Sequence, residues 1–412
     1  MPAPTRRSAA LLAVLAVLAL ALPVTVSAVL ALLLLLATAV DVSSARAAHA
    51  VGGPGREVPA VLPRGARVTV AVTGLHLGDE VAQPAVPGLH AGPVLPGSGA
   101  WELVAERRGA HVLPPLTLRR SGRWGLASWT APVGAPAALT VYPDLPAARR
   151  AALTARTLRR AAPGEGVRGP VGRGSEFEAL RDYVPGDDVR LVNWRATARR
   201  DRPTSNVFRV EQSRRLLLAV DCGRLMGAPL LPGLSRLDAA VDAAAALALT
   251  ATELGDRVGM VGFAADLRAA ARVAQRGADD VLRALAGLTA ESVDSDLELV
   301  LRALPRGQRT AVVVLTDLLD ESAARGLLTT LPPLAAREAL LVVSALDPGL
   351  RAVLATTPTD VAAAARQAAA ADLAEARLRS RTLLRRAGVT VVEALPADLS
   401  ATAVRAYLTR AR

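Results

Sequence analysis

Two aspartates stand where an α/β protein commonly keeps its chemistry. Asp221 ends the apolar run Leu216 to Val220, and Asp317 follows the run Thr310 to Leu315 and Thr316. Such runs read as strands buried on both faces, and ligands of open parallel sheets gather at the carboxyl ends of the strands. A second concentration of reactive types lies upstream, between Gly172 and Glu211. Glu176, Asp182, Asp187 and Asp188 are interleaved there with Arg181, Arg190, Arg195 and Arg199, beside Tyr183, Trp194 and a Pro185-Gly186 turn. Carboxylates at this density suit a metal or an acid–base pair. Each also has an arginine close in sequence, which favours an ion-paired scaffold with Trp194 packed beneath it. Such a scaffold contributes much only where it is buried.

The rest of the composition excludes several chemistries. All 49 basic residues counted as Lys or Arg are arginine. There is therefore no Walker A lysine and no Schiff-base lysine. The four histidines, His49, His76, His90 and His111, all lie in the first third of the chain. The C-terminal two thirds has no histidine to serve as base or ligand. Cys222 is the single cysteine, so neither an internal disulfide nor a cysteine-rich zinc site can form. A redox thiol there would have only Arg224 to activate it, and a buried structural role is expected. The net charge of +12 arises with an aromatic content of 2%, too low for base stacking. No nucleic-acid partner is expected.

Elements that position these residues follow from periodicity. From Leu216 onward strands and helices alternate. Strands are predicted at 216–220, 257–263, 310–315, 339–345 and 389–392. Helices are predicted at 236–254, 278–288, 296–304, 322–336, 360–386 and 398–410. That pattern means a doubly wound, mostly parallel sheet over 216–412. Residues 51–144 read as a small β-sandwich-like domain, with strand alternation at Arg67 to Thr73 and Gly or Pro every eight to twelve residues. Residues 145–171 read as an Arg-rich linker, helical at first and then rich in Gly and Pro. Its arginines suit either anionic lipid or plain solvent.

Residues Ser8 to Val40 carry no charge. As one helix they would reach about 50 Å, beyond the roughly 30 Å of a bilayer core. Pro23 divides the run, so a transmembrane hairpin of two short spans, 8–22 and 24–40, is expected within a membrane anchor over 1–45. A secretory signal and a single tilted span are the rival readings; the run exceeds an ordinary signal core. Arg6 and Arg7 before it and Arg46 after it favour both flanks on the cytoplasmic side, which a hairpin satisfies.

The run over 172–215 resembles the signature of domain-of-unknown-function family 58. The resemblance is carried by Gly174, Glu176, Phe177, Leu180, Arg181, Tyr183, Pro185, Gly186, Asp187, Asp188, Arg190, Asn193, Trp194, Arg199 and Glu211. Arg107 to Gly109, Arg123 to Leu126 and Val141 to Asp144 are similar to the β region preceding it in such proteins. The resemblance implies a von Willebrand factor A-like fold for the C-terminal part. It also implies a Mg²⁺ site of the Asp-x-Ser-x-Ser kind. Asp221 matches the first ligand, Ser295 stands for a later threonine, and Asp317 matches the last. Gly223 and Leu225 replace both serines, so no cofactor is expected, with Mg²⁺ the possibility to test. The resemblance further implies a MoxR-type AAA+ ATPase as partner. A membrane-anchored, non-enzymatic assembly adaptor touching that ATPase and membrane lipid is therefore expected. The alternative is a carboxylate-dependent hydrolase or nuclease using the acidic residues of 172–211.

Overall fold

Alternating apolar residues and short turns build the first unit, Met1–Asp144. The computed structural model describes all residues except 51–53, 77–78, 93–98, 162–170, 185–188, 201, 210–213, 305–308, 319–320, 336–338 and 411–412. The chain opens with strand β1 (Pro2–Pro4) and helices α1 (Arg6–Leu18) and α2 (Val24–Ala50). Ten strands follow: β2 (Gly55–Arg56), β3 (Val61–Pro63), β4 (Arg67–Thr73), β5 (Glu80–Ala82), β6 (Leu89–Ala91), β7 (Ala100–Ala105), β8 (Gly109–Leu113), β9 (Leu116–Ser121), β10 (Ala127–Val133) and β11 (Ala137–Tyr142). They form three small sheets, ordered β1-β10-β9-β5, β3-β11-β8 and β2-β4-β7-β6. Val70, Trp101, Leu103, Leu113, Leu118, Leu139 and Val141 fill one shared core. The alternation in β4 buries Val70 and Val72 and exposes Thr69 and Ala71. Beneath the surface Arg120 donates twice to Asp79, at 2.7 and 2.6 Å. Burial would push the Asp79 carboxyl up; the Arg120 bonds and the His76 amide more than offset it and hold it below the usual range.

Among the described residues one helix, Val24–Ala47, is long and apolar enough to cross a bilayer. α1 has 13 residues and would reach only about 20 Å. The expected bounds of 8–22 and 24–40 thus shift: α1 ends early, and α2 continues past Val40 because its last turns dock on the β unit.

The second unit, Leu145–Arg412, begins with helix α3 (Leu145–Ala161). This corrects the expectation of a linker. Ala148, Ala151, Ala152 and Ala155 are buried at helical spacing, and α3 packs on helices α5 and α11, defined below. The Gly/Pro-rich remainder lies outside the described residues. Next come β12 (Val171–Asp182), α4 (Trp194–Arg200) and β13 (Thr204–Arg209), with β12 and β13 paired as an antiparallel ribbon.

The main sheet follows from β14 (Arg215–Asp221). After it come β15 (Pro229–Leu231), β16 (Leu234–Ser235), α5 (Arg236–Glu253), β17 (Arg257–Phe263), β18 (Leu267–Ala274), α6 (Ala278–Ala286) and α7 (Glu298–Ala303). The chain ends through β19 (Thr310–Leu315), α8 (Glu321–Ala335), β20 (Leu340–Ala345), α9 (Pro348–Ala355), α10 (Val361–Arg386), β21 (Thr390–Ala394) and α11 (Pro396–Arg410). Strand order is β18-β17-β14-β19-β20-β21. All neighbours pair in parallel except the antiparallel edge strand β18. Leu217, Val312, Val314 and Val342 pack with Leu327, Leu331 and Leu384 of α8 and α10. α5 lies against β14, β17 and β20. It starts at a capping box in which Ser235 and Asp238 satisfy each other's backbone amides. The chain runs from β14 to β17 on one side and to β19 on the other. The carboxyl ends of β14 and β19 therefore border a crevice.

Candidate functional site

Asp221 closes β14 and is nearly buried. The backbone turns directly after it, and the Gly223 amide donates to Asp221 Oδ1 at 2.8 Å. Two hydroxyls complete its shell. Ser295, from the loop before α7, donates to Oδ1 at 2.5 Å, and Thr316, just past β19, donates to Oδ2 at 2.5 Å. Burial pushes the Asp221 carboxyl above the ordinary carboxylate range. The Ser295, Thr316 and Gly223 bonds draw it back, while nearby Asp317 adds to the rise.

Space explains the glycine. A Cβ on Gly223 would sit 2.1 Å from Ser295 Oγ and 2.9 Å from the Val293 carbonyl. The Ser295 hydroxyl therefore occupies the room that a side chain at 223 would need. The two residues are one solution to serving Asp221.

Asp317 points into a different set of partners. Its Oδ2 pairs with Arg236, and its Oδ1 accepts from Arg377 at 3.0 Å, from the Leu318 amide at 2.7 Å and from Ser344 at 3.3 Å. Arg236 continues to Asp347 at 3.1 Å. Arg377 continues to Glu393 at 2.5 Å, and Arg381 meets the other Glu393 oxygen at 3.1 Å. Three guanidiniums and three carboxylates thus tie α5, α10, β21 and the ends of β19 and β20 together. Buried charge is tolerable only where each ion is paired, and here every ion has a partner of opposite sign, although Arg236 Nε is buried without a hydrogen bond.

The crevice beside Asp221 has a volume of about 210 Å³ and is lined by Gly223, Arg224, Leu225, Asp294, Ser295 and Thr316 among others. Arg224 pairs with Asp294 at its exposed rim. The donor set does not fit a divalent cation. Mg²⁺ needs six oxygens at about 2.0–2.1 Å. Here both Asp221 oxygens already accept from neighbours, Asp317 is committed to two arginines, and Gly223 and Leu225 offer no side-chain oxygen. Among the described residues no group of three or more His, Cys, Asp or Glu is placed to hold an ion. The structure brings Asp221 and Ser295, both expected at the cation site, into hydrogen-bond contact, with Asp317 turned to other partners. Sequence reasoning missed Thr316, though this residue is adjacent to Asp317, and it missed Arg236 and Arg377, which sit among alanines with no local mark of their role. Cys222 is fully buried.

The signature run forms a ribbon closed by a short helix. Gly174, Glu176, Phe177, Leu180 and Arg181 lie along β12, and Arg190 lies in a single turn at Val189–Leu191. Asn193 caps α4, accepting from the Ala196 amide at 3.0 Å and donating to Asn206 at 2.9 Å. The Tyr183 amide donates to Pro203 at 2.8 Å. Trp194 is 69% exposed rather than packed beneath the charges, which corrects that expectation. It is the first residue of α4. Arg195 and Arg199 are exposed on the same helix. Pro185, Gly186, Asp187, Asp188 and Glu211 lie outside the described residues.

Part of the second unit is similar to proteins already known. The profile of the family described as "Protein of unknown function DUF58" matches residues 179–353, a range that takes in the end of β12, all of β13, Asp221, Ser295 and Asp317. Uncharacterized protein Rv1480 of Mycobacterium tuberculosis and Uncharacterized protein Mb1516 of Mycobacterium bovis are each 33% identical over 186 residues, 43% of this chain. The chain spans 56% of the length of these curated relatives. The PilB minor pilin from Streptococcus sanguinis superposes over 82% of this chain and 79% of its own, at 10% identity and a TM-score of 0.32. A superposition that loose bears on neither fold nor function.

Proposed function

We propose that this chain is a membrane-anchored assembly adaptor whose α/β unit presents its strand-end crevice to a protein partner, a MoxR-type AAA+ ATPase. The observation that carries the reading is the state of the crevice carboxylates. Asp221 and Asp317 each accept from internal donors, which favours a part in holding the fold over one as a base or a cation ligand. What remains at the surface is the Arg224–Asp294 pair on the rim. An exposed ion pair contributes little to stability, roughly 0–1 kcal/mol, but can steer a charged partner. The second unit is read as von Willebrand A-like from its strand order and from the resemblance of the signature run. The choice of ATPase rests on that resemblance.

The anchor is read as an out-and-back pair, α1 and α2, with the rest of the chain cytoplasmic. Support comes from the flanks. Thr5, before α1, donates to Gly125 at 2.6 Å, and Asp41, late in α2, accepts from Trp124, Leu126 and Ala127. Both ends of the pair thus rest on one β-hairpin.

The test is co-purification from native membranes. The adaptor reading expects the ATPase to be recovered with the wild type and several-fold less with Arg224→Glu. Equal absence from both would reject it. A phosphatase fused to the C-terminus should be inactive; activity outside the membrane would reject the out-and-back anchor.

A further inference from the structure

We infer that the β9–β10 turn is a membrane-interface contact that takes anionic lipid headgroups, an inference that rests on the membrane reading of α2. α2 is apolar and exposed along 24–40, and its first carboxylate, Asp41, is only 1% exposed. The Asp41 carboxylate accepts three backbone amides of the β9–β10 turn: Trp124 at 2.8 Å, Leu126 at 2.7 Å and Ala127 at 2.9 Å. Ser44, one turn on, accepts from the Arg123 amide at 3.3 Å. The approach is so close that a Cβ on Gly122 would lie 2.3 Å from Asp41 Cγ. The turn is therefore fixed at the level where the apolar run stops, which is the level of the headgroups if the run spans.

The residues held there are those an interface selects. Trp124 is 51% exposed at the tip. Tryptophan favours the headgroup level because its ring is apolar and its N–H polar. Arg6, Arg7, Arg46 and Arg123 are all exposed. The Arg7 guanidinium lies 3.1 Å from where a Cβ on Gly125 would be, and Arg46 stacks at 5.3 Å over Trp129. The carboxylate that meets the turn itself, Asp41, is turned inward onto backbone amides, and the acids beside the adjoining strand, Asp79 and Glu80, are paired with Arg120 and Arg119. Four exposed guanidiniums and an exposed indole thus belong to the turn and to the helix ends beside it, and no acid is paired with any of the four among the contacts described. Phosphate and glycerol-phosphate headgroups match that chemistry.

The experiment uses the full chain in nanodiscs with lipid brominated at shallow or deep acyl positions. Tryptophan emission should be quenched by roughly a third, more by the shallow label, and Trp124→Phe should remove about half of that quenching or more. Adding phosphatidylglycerol should raise quenching about 1.5-fold, and Arg123→Glu should abolish the increment. Quenching unchanged by Trp124→Phe, or no response to phosphatidylglycerol, overturns the inference. Failure of the anchor itself is read separately: a protein that leaves the membrane in carbonate refutes the span, whereas one that floats with lipid while Trp124 stays unquenched refutes only the interface contact.

Discussion

Asp317 shows how one side chain can carry two readings. By position it looks like a ligand; by contact it is the hub between Arg236 and Arg377. Removing one partner of a buried ion pair leaves the others uncompensated, at a cost of about 3–5 kcal/mol. Asp317→Ala should therefore lower the thermal stability of the α/β unit by about that amount, equally in EDTA and in Mg²⁺. A loss seen only with Mg²⁺ present would restore the ligand role. Gly223 offers a second test. Gly223→Ser returns the side chain that the resemblance expects, but drives it into Ser295 Oγ. The variant should lose about 1–3 kcal/mol, and Ser295→Ala should restore part of it; an unchanged melt would contradict the crowding argument. Asp221 and Asp317 were legible in the sequence because strand ends are marked by apolar runs, whereas Ser295, in a loop, was singled out only through the family resemblance. Their partners were not, since an arginine in an alanine-rich helix gives no local sign of the distant carboxylate it meets.

At the scale of elements, the parallel strands were readable because each is a continuous aliphatic run. β18 was not: Leu267 to Ala274 is an exposed edge rich in Arg and Ala, with no apolar alternation to mark it. α9 escaped for the same reason, being short and having no buried residue. α3 was misread because its arginines dominated the composition and hid the alanine stripe beneath them. In the β unit, the Asp79–Arg120 pair joins the loop before β5 to β9. Asp79 has its folded pKa depressed, so its stabilisation is present above the ordinary carboxylate range and is lost as pH falls through the lower folded value. The acid limb of the β-unit melt should flatten in Asp79→Asn; an unaltered pH profile would mean the pair contributes nothing. Tyr407 of α11 donates to Asp256 at 2.6 Å within the second unit, and burial pushes its phenol well up. Tyr407→Phe leaves that acceptor short of a donor and should cost about 1–3 kcal/mol by urea unfolding.

For the whole molecule, the proposed division of labour is attachment by the first unit and recognition by the crevice of the second. In the sequence the β-like punctuation stops near residue 144 and strand–helix alternation starts only at Leu216, with the stretch between them read as a linker and the signature run. The fate of the crevice was not visible there, because it depends on where buried donors point. The most direct measurement places a photo-crosslinking residue at Leu225, on the crevice wall, and irradiates intact membranes. The expected result is a covalent product containing an AAA+ ATPase, absent when Arg224→Glu is added. A membrane-held, folded protein whose crevice crosslinks to no ATPase would contradict it.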